Sequence, residues 1–292
     1  MTFMLPADSL PASSAIRALA QAELTAARHL ALAPSNDLSP LHSLRKRIKK
    51  TRGLLRLVAP VFEQFDHENR ALREAAQGIS GLRDAEVLHL TLARLSGENA
   101  AGDAARLLAA ALPAPVTRPD PQVLTEFAAQ VDAVLARLPH WRFEAEGWEA
   151  IAPGLIRTLI QGERRMKTAR KRPAPENLHA WRSRVKHHWY HTRLLTPIWP
   201  EVMGAHALAV DALGEMLGDH HDLCVLQAIL PGPLGPEAAQ ALDTAIAARK
   251  AAIESRAFAR GARLFADPPE ALAARWGKWY ALWRAETLRG GL

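Results

Sequence analysis

The chain has 292 residues, 49% of them hydrophobic, with Ala and Leu dominant and only two Tyr; this excludes global disorder and favours helices over sheets. Its formal net charge of +7 points to an acidic partner, whether nucleic acid, an anionic membrane or a phosphate polymer. The single cysteine, Cys224, excludes an intramolecular disulfide and a cysteine-based metal cluster, and fits a reducing, cytoplasmic compartment.

The first residues, MTFMLPADSLPASS, lack a basic region followed by a long apolar run, so no secretory leader is expected. Ile16, Leu19, Ala20, Leu24 and Ala27 recur at helical spacing and predict a helix over 14–32. A loop over 33–40 leads through Ser39-Pro40, a helix start, into a helix over 40–58. One long helix is expected over 64–95, with Gly78 and Gly81 inside it. Residues 96–103 and 113–121 read as loops, and 121–138 as a helix. A similar order then returns: helices over 149–171, 178–196, 201–230 (with Gly214 and Gly218 inside), 236–264 and finally 267–284. Trp276, Trp279 and Trp283 recur at helical spacing and are expected in the core. Nothing alternates with strand periodicity, and no apolar run approaches the ~18 residues of a membrane span. The expected fold class is all-α.

The segment LHSLRKRIKKTRGLLRL, residues 41–57, carries seven Lys/Arg and no acid, yet Leu44, Ile48, Leu54, Leu55 and Leu57 are spaced for burial. On a helical wheel with His42 at 0°, Arg45, Lys49, Arg52 and Arg56 fall between about 280° and 340°, at ~100° per residue. They form one stripe along about 20 Å of helix, at ~1.5 Å per residue. Like charges at this spacing repel by a few tenths of a kcal/mol per pair. Either acids from neighbouring helices, solvent or an external anion must compensate them.

The same pattern recurs in LHAWRSRVKHHWYHTR, residues 178–193, where His179, Arg182, Lys186 and Arg193 match His42, Arg45, Lys49 and Arg56. Leu82-Arg83-Asp84 and His220-His221-Asp222 match at nearly the same separation, about 137 positions. Two motifs at one separation indicate a tandem duplication of a helical unit, hence two bundle-like halves. Arg forks around phosphate oxygens, and a row of such groups suits a linear polyanion. Lys50 and His187 lie to one side of the stripes, within reach of a second row. Arg157, Arg164, Arg165, Lys167, Arg170 and Lys171 are further candidate contacts, or a solvated helix end. Asp84 and Asp222 cannot bind phosphate and are expected to orient an Arg or His, or to form structural ion pairs. Charging His42 and His179, with ordinary pKa near ~6.5, would tighten anion binding as pH falls from about 8 to 6.

These residues resemble the CHAD family, the conserved histidine α-helical domain. Its first-half pattern H-x-x-R-x-x-x-R/K-R/K-x-R is matched by His42, Arg45, Lys49, Lys50 and Arg52. In the second half His179, Arg182 and Lys186 match, while His187 and Trp189 stand where the family has basic residues. An R-D motif matches Arg83-Asp84, with His221-Asp222 as its second copy. The resemblance covers about 10–290, read as a single domain built of repeats over 10–140 and 149–290. It implies two helical bundles related by pseudo-two-fold symmetry, with the basic residues lining a central cavity or groove. It further implies binding of inorganic polyphosphate, location at polyphosphate granules, and a polyphosphate- or triphosphate-metabolising enzyme as partner.

Nucleic acid is the alternative ligand, because neutralising an RNA or DNA backbone needs the same charges. Single-strand binders add exposed aromatics for stacking, and only Trp189 sits in a basic stripe. A helical scaffold that binds through its surfaces is a third reading. Catalysis is not expected. There is no phosphate loop with G-K-[ST] and no nucleophile elbow. His187-His188 and His221-Asp222 lack the converging ligands of a metal site, so neither a metal nor a cofactor is expected.

Overall fold

A computed structural model describes residues 3–6, 11–33, 40–79, 84–95, 99–113, 120–230 and 234–290. Eleven α-helices run through them: α1 Ala12–Leu32, α2 Pro40–Leu57, α3 Phe65–Gly78, α4 Asp84–Ala93, α5 Asn99–Ala111, α6 Pro121–Arg137, α7 Gly147–Lys171, α8 Pro175–Leu194, α9 Pro200–Ile229, α10 Pro236–Leu264 and α11 Pro269–Leu288. Short 3-10 turns follow α6 and α8, and the only β-pairing among the described residues is an isolated bridge between Phe62 and Phe143. The chain is all-α, and no described helix is long and apolar enough to cross a membrane. Six helices begin with proline, whose missing N–H and fixed φ suit a first turn. Asp120 completes one such start by accepting a hydrogen bond from the Gln122 N–H at 2.8 Å.

Two expected boundaries are corrected. The single helix over 64–95 is two, because α3 ends at Gly78 and α4 begins at Asp84. Glycine is ~1 kcal/mol worse than alanine within a helix, and no described atom lies within 4 Å of where a Cβ on Gly78 would stand. The loop over 96–103 gives way to α5 from Asn99. There Ala104, Ala105 and Leu108 bury a face together with Leu242 and Ile246 of α10.

The core forms three clusters. The largest joins α1, α2, α3 and α6 to α7, the C-terminal part of α8 and α11. A second draws α4 and α5 together with the end of α9 and the start of α10. The third lies among α7, α8, α9 and α10, around the buried Trp181. Leu44, Ile48, Leu54, Leu55 and Leu57 of α2 are all fully buried. At ~1.5–3 kcal/mol for each such side chain, their burial far exceeds the like-charge repulsion along the basic stripe. This is how so basic a helix forms at the centre of the fold.

Candidate functional site

α8 packs against both α2 and α9. Gly53 brings α2 onto α8: a Cβ there would lie 2.8 Å from the Tyr190 Cβ. At the same crossing the His191 Nε2 bonds the Gly53 carbonyl oxygen at 3.1 Å, fully buried. This explains a glycine within an otherwise strong basic helix. It also fixes where the two basic stripes stand relative to each other.

On the α9 side, α8 carries His179, Arg182 and Lys186. The Arg182 Nε would lie 3.3 Å from a Cβ on Gly218, and the Lys186 Cε 3.1 Å from one on Gly214. These two glycines sit within one continuous α9, as expected, and leave room for the two stems. The Arg182 Nε is buried with no hydrogen-bond partner among the described residues. The His179 and His221 rings stand 4.5 Å apart. Burial, then Arg182 and Lys49, holds the His179 pKa below its usual value. His221 is pushed down to about 4 by burial, with His179 and Arg182 adding to it. Both shifts work against the charging of His179 expected as pH falls towards 6.

Lys186 is partly neutralised. Its Nζ reaches Glu215 at 2.6 Å and Asp211 at 3.2 Å. It also lies 4.9 Å from the centre of the Trp189 ring, and the Arg193 guanidinium lies 5.1 Å from the same ring. Trp189 thus supports two cations, each gaining roughly 0.5–2 kcal/mol from the ring.

On the side facing α2 and α7 the charge is different. Arg52 and Arg56 of α2 act on His187 of α8, as does Arg184. Burial lowers the pKa of Arg52, with Arg73 adding to it. Arg56 is pushed down to about 9 by burial, then by Arg52 and Arg184. Arg184 is lowered by burial, then by Arg165 and Arg157. His187, half-buried among them, is held well below its usual value by burial first and then by these charges, and is neutral. Arg52 donates to the Asn69 Oδ1 at 3.1 Å and Arg56 to the Arg52 carbonyl at 3.0 Å. None of Arg52, Arg56 and Arg184 forms an ion pair among the described residues.

Arg184 was not a candidate from sequence, although it matches Arg47 at the repeat separation. Arg47 and Lys50 both bind Glu23 of α1, at 3.1 and 2.7 Å, and Glu23 is buried. The position matching Glu23 is Ile160 of α7. At the spacing where α1 has Glu23, α7 has an apolar residue, and Arg184 keeps its charge. Lys50, turned onto Glu23 and 5.2 Å from the centre of the Phe3 ring, stands apart from the Arg52–Arg56–Arg184 cluster.

A family model described as CHAD domain matches residues 14–231, most of the chain. The chain belongs to the CHAD domain family. A solved structure, the CHAD domain from the plant Ricinus communis, is similar with a TM-score of 0.54 at 18% identity, over 86% of this chain and 92% of that one. At that identity the likeness is one of fold. No curated protein matches the chain.

Within this CHAD domain the other candidates divide. His42 is exposed and Arg45 half-buried on the first turns of α2, and Lys49 is exposed one turn on. Arg157 and Arg165 of α7 add their charge beside Arg184. Lys167 pairs with Glu163 at 2.5 Å, and Arg170 lies on Phe258, 5.2 Å from the ring centre. Arg164 and Lys171 are exposed. Asp222 is half-buried on α9 beside His221. Asp84 opens α4, and Arg83 lies outside the described residues. Trp276 and Trp283 are buried as expected, while Trp279 is only half-buried.

Proposed function

We propose that this CHAD domain binds inorganic polyphosphate without catalysing its turnover, along the basic faces of α2 and α8. The observation that carries the reading is the cluster of Arg52, Arg56 and Arg184 around His187, half-desolvated and without a carboxylate. Packing like charges together this way costs stability in the free chain. An external polyanion relieves that cost, and bidentate guanidinium–phosphate bonds suit three Arg on two helices. The unpartnered Arg182 Nε supplies a second, separate donor. Two donor sets on opposite sides of α8 suit a ligand that is extended rather than compact. Residence at polyphosphate granules, and service to a polyphosphate- or triphosphate-metabolising enzyme, follow as roles for such a binder.

The test is binding of the full chain to long-chain polyphosphate, with single-stranded RNA of equal charge as competitor. Arg56→Glu and Arg182→Glu are measured alongside. Polyphosphate is expected to outcompete RNA, each substitution to weaken binding at least tenfold, and affinity to fall steeply with salt. Equal competition by RNA would mean a generic polyanion surface and overturn the reading.

A further inference from the structure

A separate cavity of about 330 Å3 opens where the end of α10 and the start of α11 meet α9. Arg260, Arg263, Arg275, Asp267 and His206 line it, with Leu264 and Leu272 as apolar wall. Arg275 binds Asp267 at 3.0 Å, which accounts for one of the three guanidinium charges. Arg263 donates only to the Ala259 carbonyl of its own helix, at 3.2 Å. Arg260 forms no ion pair among the described residues. The lining residues therefore carry a net charge of about +2 beside an apolar wall, with Arg260 half-buried and Arg263, Arg275 and Asp267 exposed to solvent. The His206 Nε2 lies 2.9 Å from the buried His188 Nε2, which leaves Nδ1 as its free ring nitrogen.

We propose that this cavity is a second anion site, for a compact phosphoanion bearing two or more negative charges, with inorganic pyrophosphate as its probe. The charge count decides against a monocarboxylate, which would leave one guanidinium unmatched. The volume lies at the small end of ligand pockets, which run from ~300 to 1,000 Å3, and suits a single compact anion rather than a polymer. Arg260 and Arg263 grip the anion, Arg275 closes the rim from its place 5.7 Å over the Trp279 ring, and Asp267 holds Arg275 in that position. None of these residues belongs to the α2–α8 surface, so this site stands or falls independently of polyphosphate binding there.

The experiment titrates inorganic pyrophosphate into the full chain carrying Arg56→Ala and Arg182→Ala, at fixed ionic strength. One pyrophosphate per chain is expected, with a saturable change in tryptophan fluorescence, since the Trp276 ring is 5.3 Å from His206. Adding Arg260→Ala and Arg263→Ala should weaken binding by at least about 100-fold, the loss expected for two charge-assisted hydrogen bonds. Arg260→Lys with Arg263→Lys, which keeps charge but removes the fork, should fall between the two. Pyrophosphate binding that survives the double alanine variant unchanged would overturn the proposal. So would the absence of any saturable signal in the chain that retains both arginines.

Discussion

Acid is the most informative perturbation of this fold, because its core histidines are neutral. His191 is fully buried and held at about 3 by burial, with Arg56 adding to it against the bond from Gly53. His206 is held at about 4, again by burial first and then by Arg275. Both ionise near ~6.5 in an unfolded chain. The folded pKa is the lower one, so the native state binds fewer protons. The stability these groups give is complete above pH ~6.5 and is lost as pH falls towards their folded values. At pH 5.5 each costs about 1.4 kcal/mol relative to neutral pH, so the pair costs about 3 kcal/mol. His187 and His188, both held well below their usual value by burial, push in the same direction. Against a typical stability of ~5–15 kcal/mol this is a large share. At ~2–4 °C per kcal/mol for chains of this size range, the melting temperature should fall by at least about 6 °C between pH 7.5 and 5.5. Thermal unfolding followed by circular dichroism at fixed salt measures it. His191→Gln, which keeps a donor for the Gly53 carbonyl but cannot titrate, should flatten the slope. A melting temperature constant across that range would refute the reasoning, since the fully buried His188 and His191 and the half-buried His187 and His206 cannot all be silent.

Gly53→Ala should destabilise by about 1 kcal/mol, because overpacking at ~1–3 kcal/mol outweighs the helix preference of alanine. Gly78→Ala, with open space around it, serves as control in urea unfolding, and the reasoning fails if the two behave alike. Glu23→Ala strands Arg47 and Lys50 and removes a buried partner of both. About 3 kcal/mol of stability should go with it, read from the urea midpoint; a change within the error of that measurement would mean the pairs contribute nothing. Glu215→Gln releases Lys186 from one of its two carboxylates. Polyphosphate affinity should rise a few-fold, and a fall would place Glu215 in the binding geometry instead.

The helix-rich architecture was legible from periodicity, and the basic stripes on α2 and α8 from the repeat. What a helical wheel could not supply was the partner of each charge. Arg47 and Lys50 meet Glu23, and Lys186 meets Asp211 and Glu215, across distances in sequence that no local pattern encodes. At least three of the eleven Lys and Arg on α2 and α8 are therefore paired with acids from neighbouring helices. Arg184 went unseen for the converse reason: it lies off the Arg182 stripe, and its importance comes from an acid missing on α7. Glycines show the same limit. Gly214 and Gly218 remain helical under the stems of Lys186 and Arg182, whereas Gly78, with nothing over it, ends α3.

The sharing of one hydrophobic cluster by α4, α5, α9 and α10 sets an order on synthesis. α5 ends at Ala111 and α10 begins at Pro236. A ribosome adding ~5–20 residues per second needs roughly 6–25 s to cross that gap. Leu92, Ala105 and Leu108 lack the cover of Leu242 and Ile246 until it does. During that interval the nascent α4–α5 pair is a sticky surface, and chaperone dependence or co-translational aggregation should map to it rather than to the basic helices.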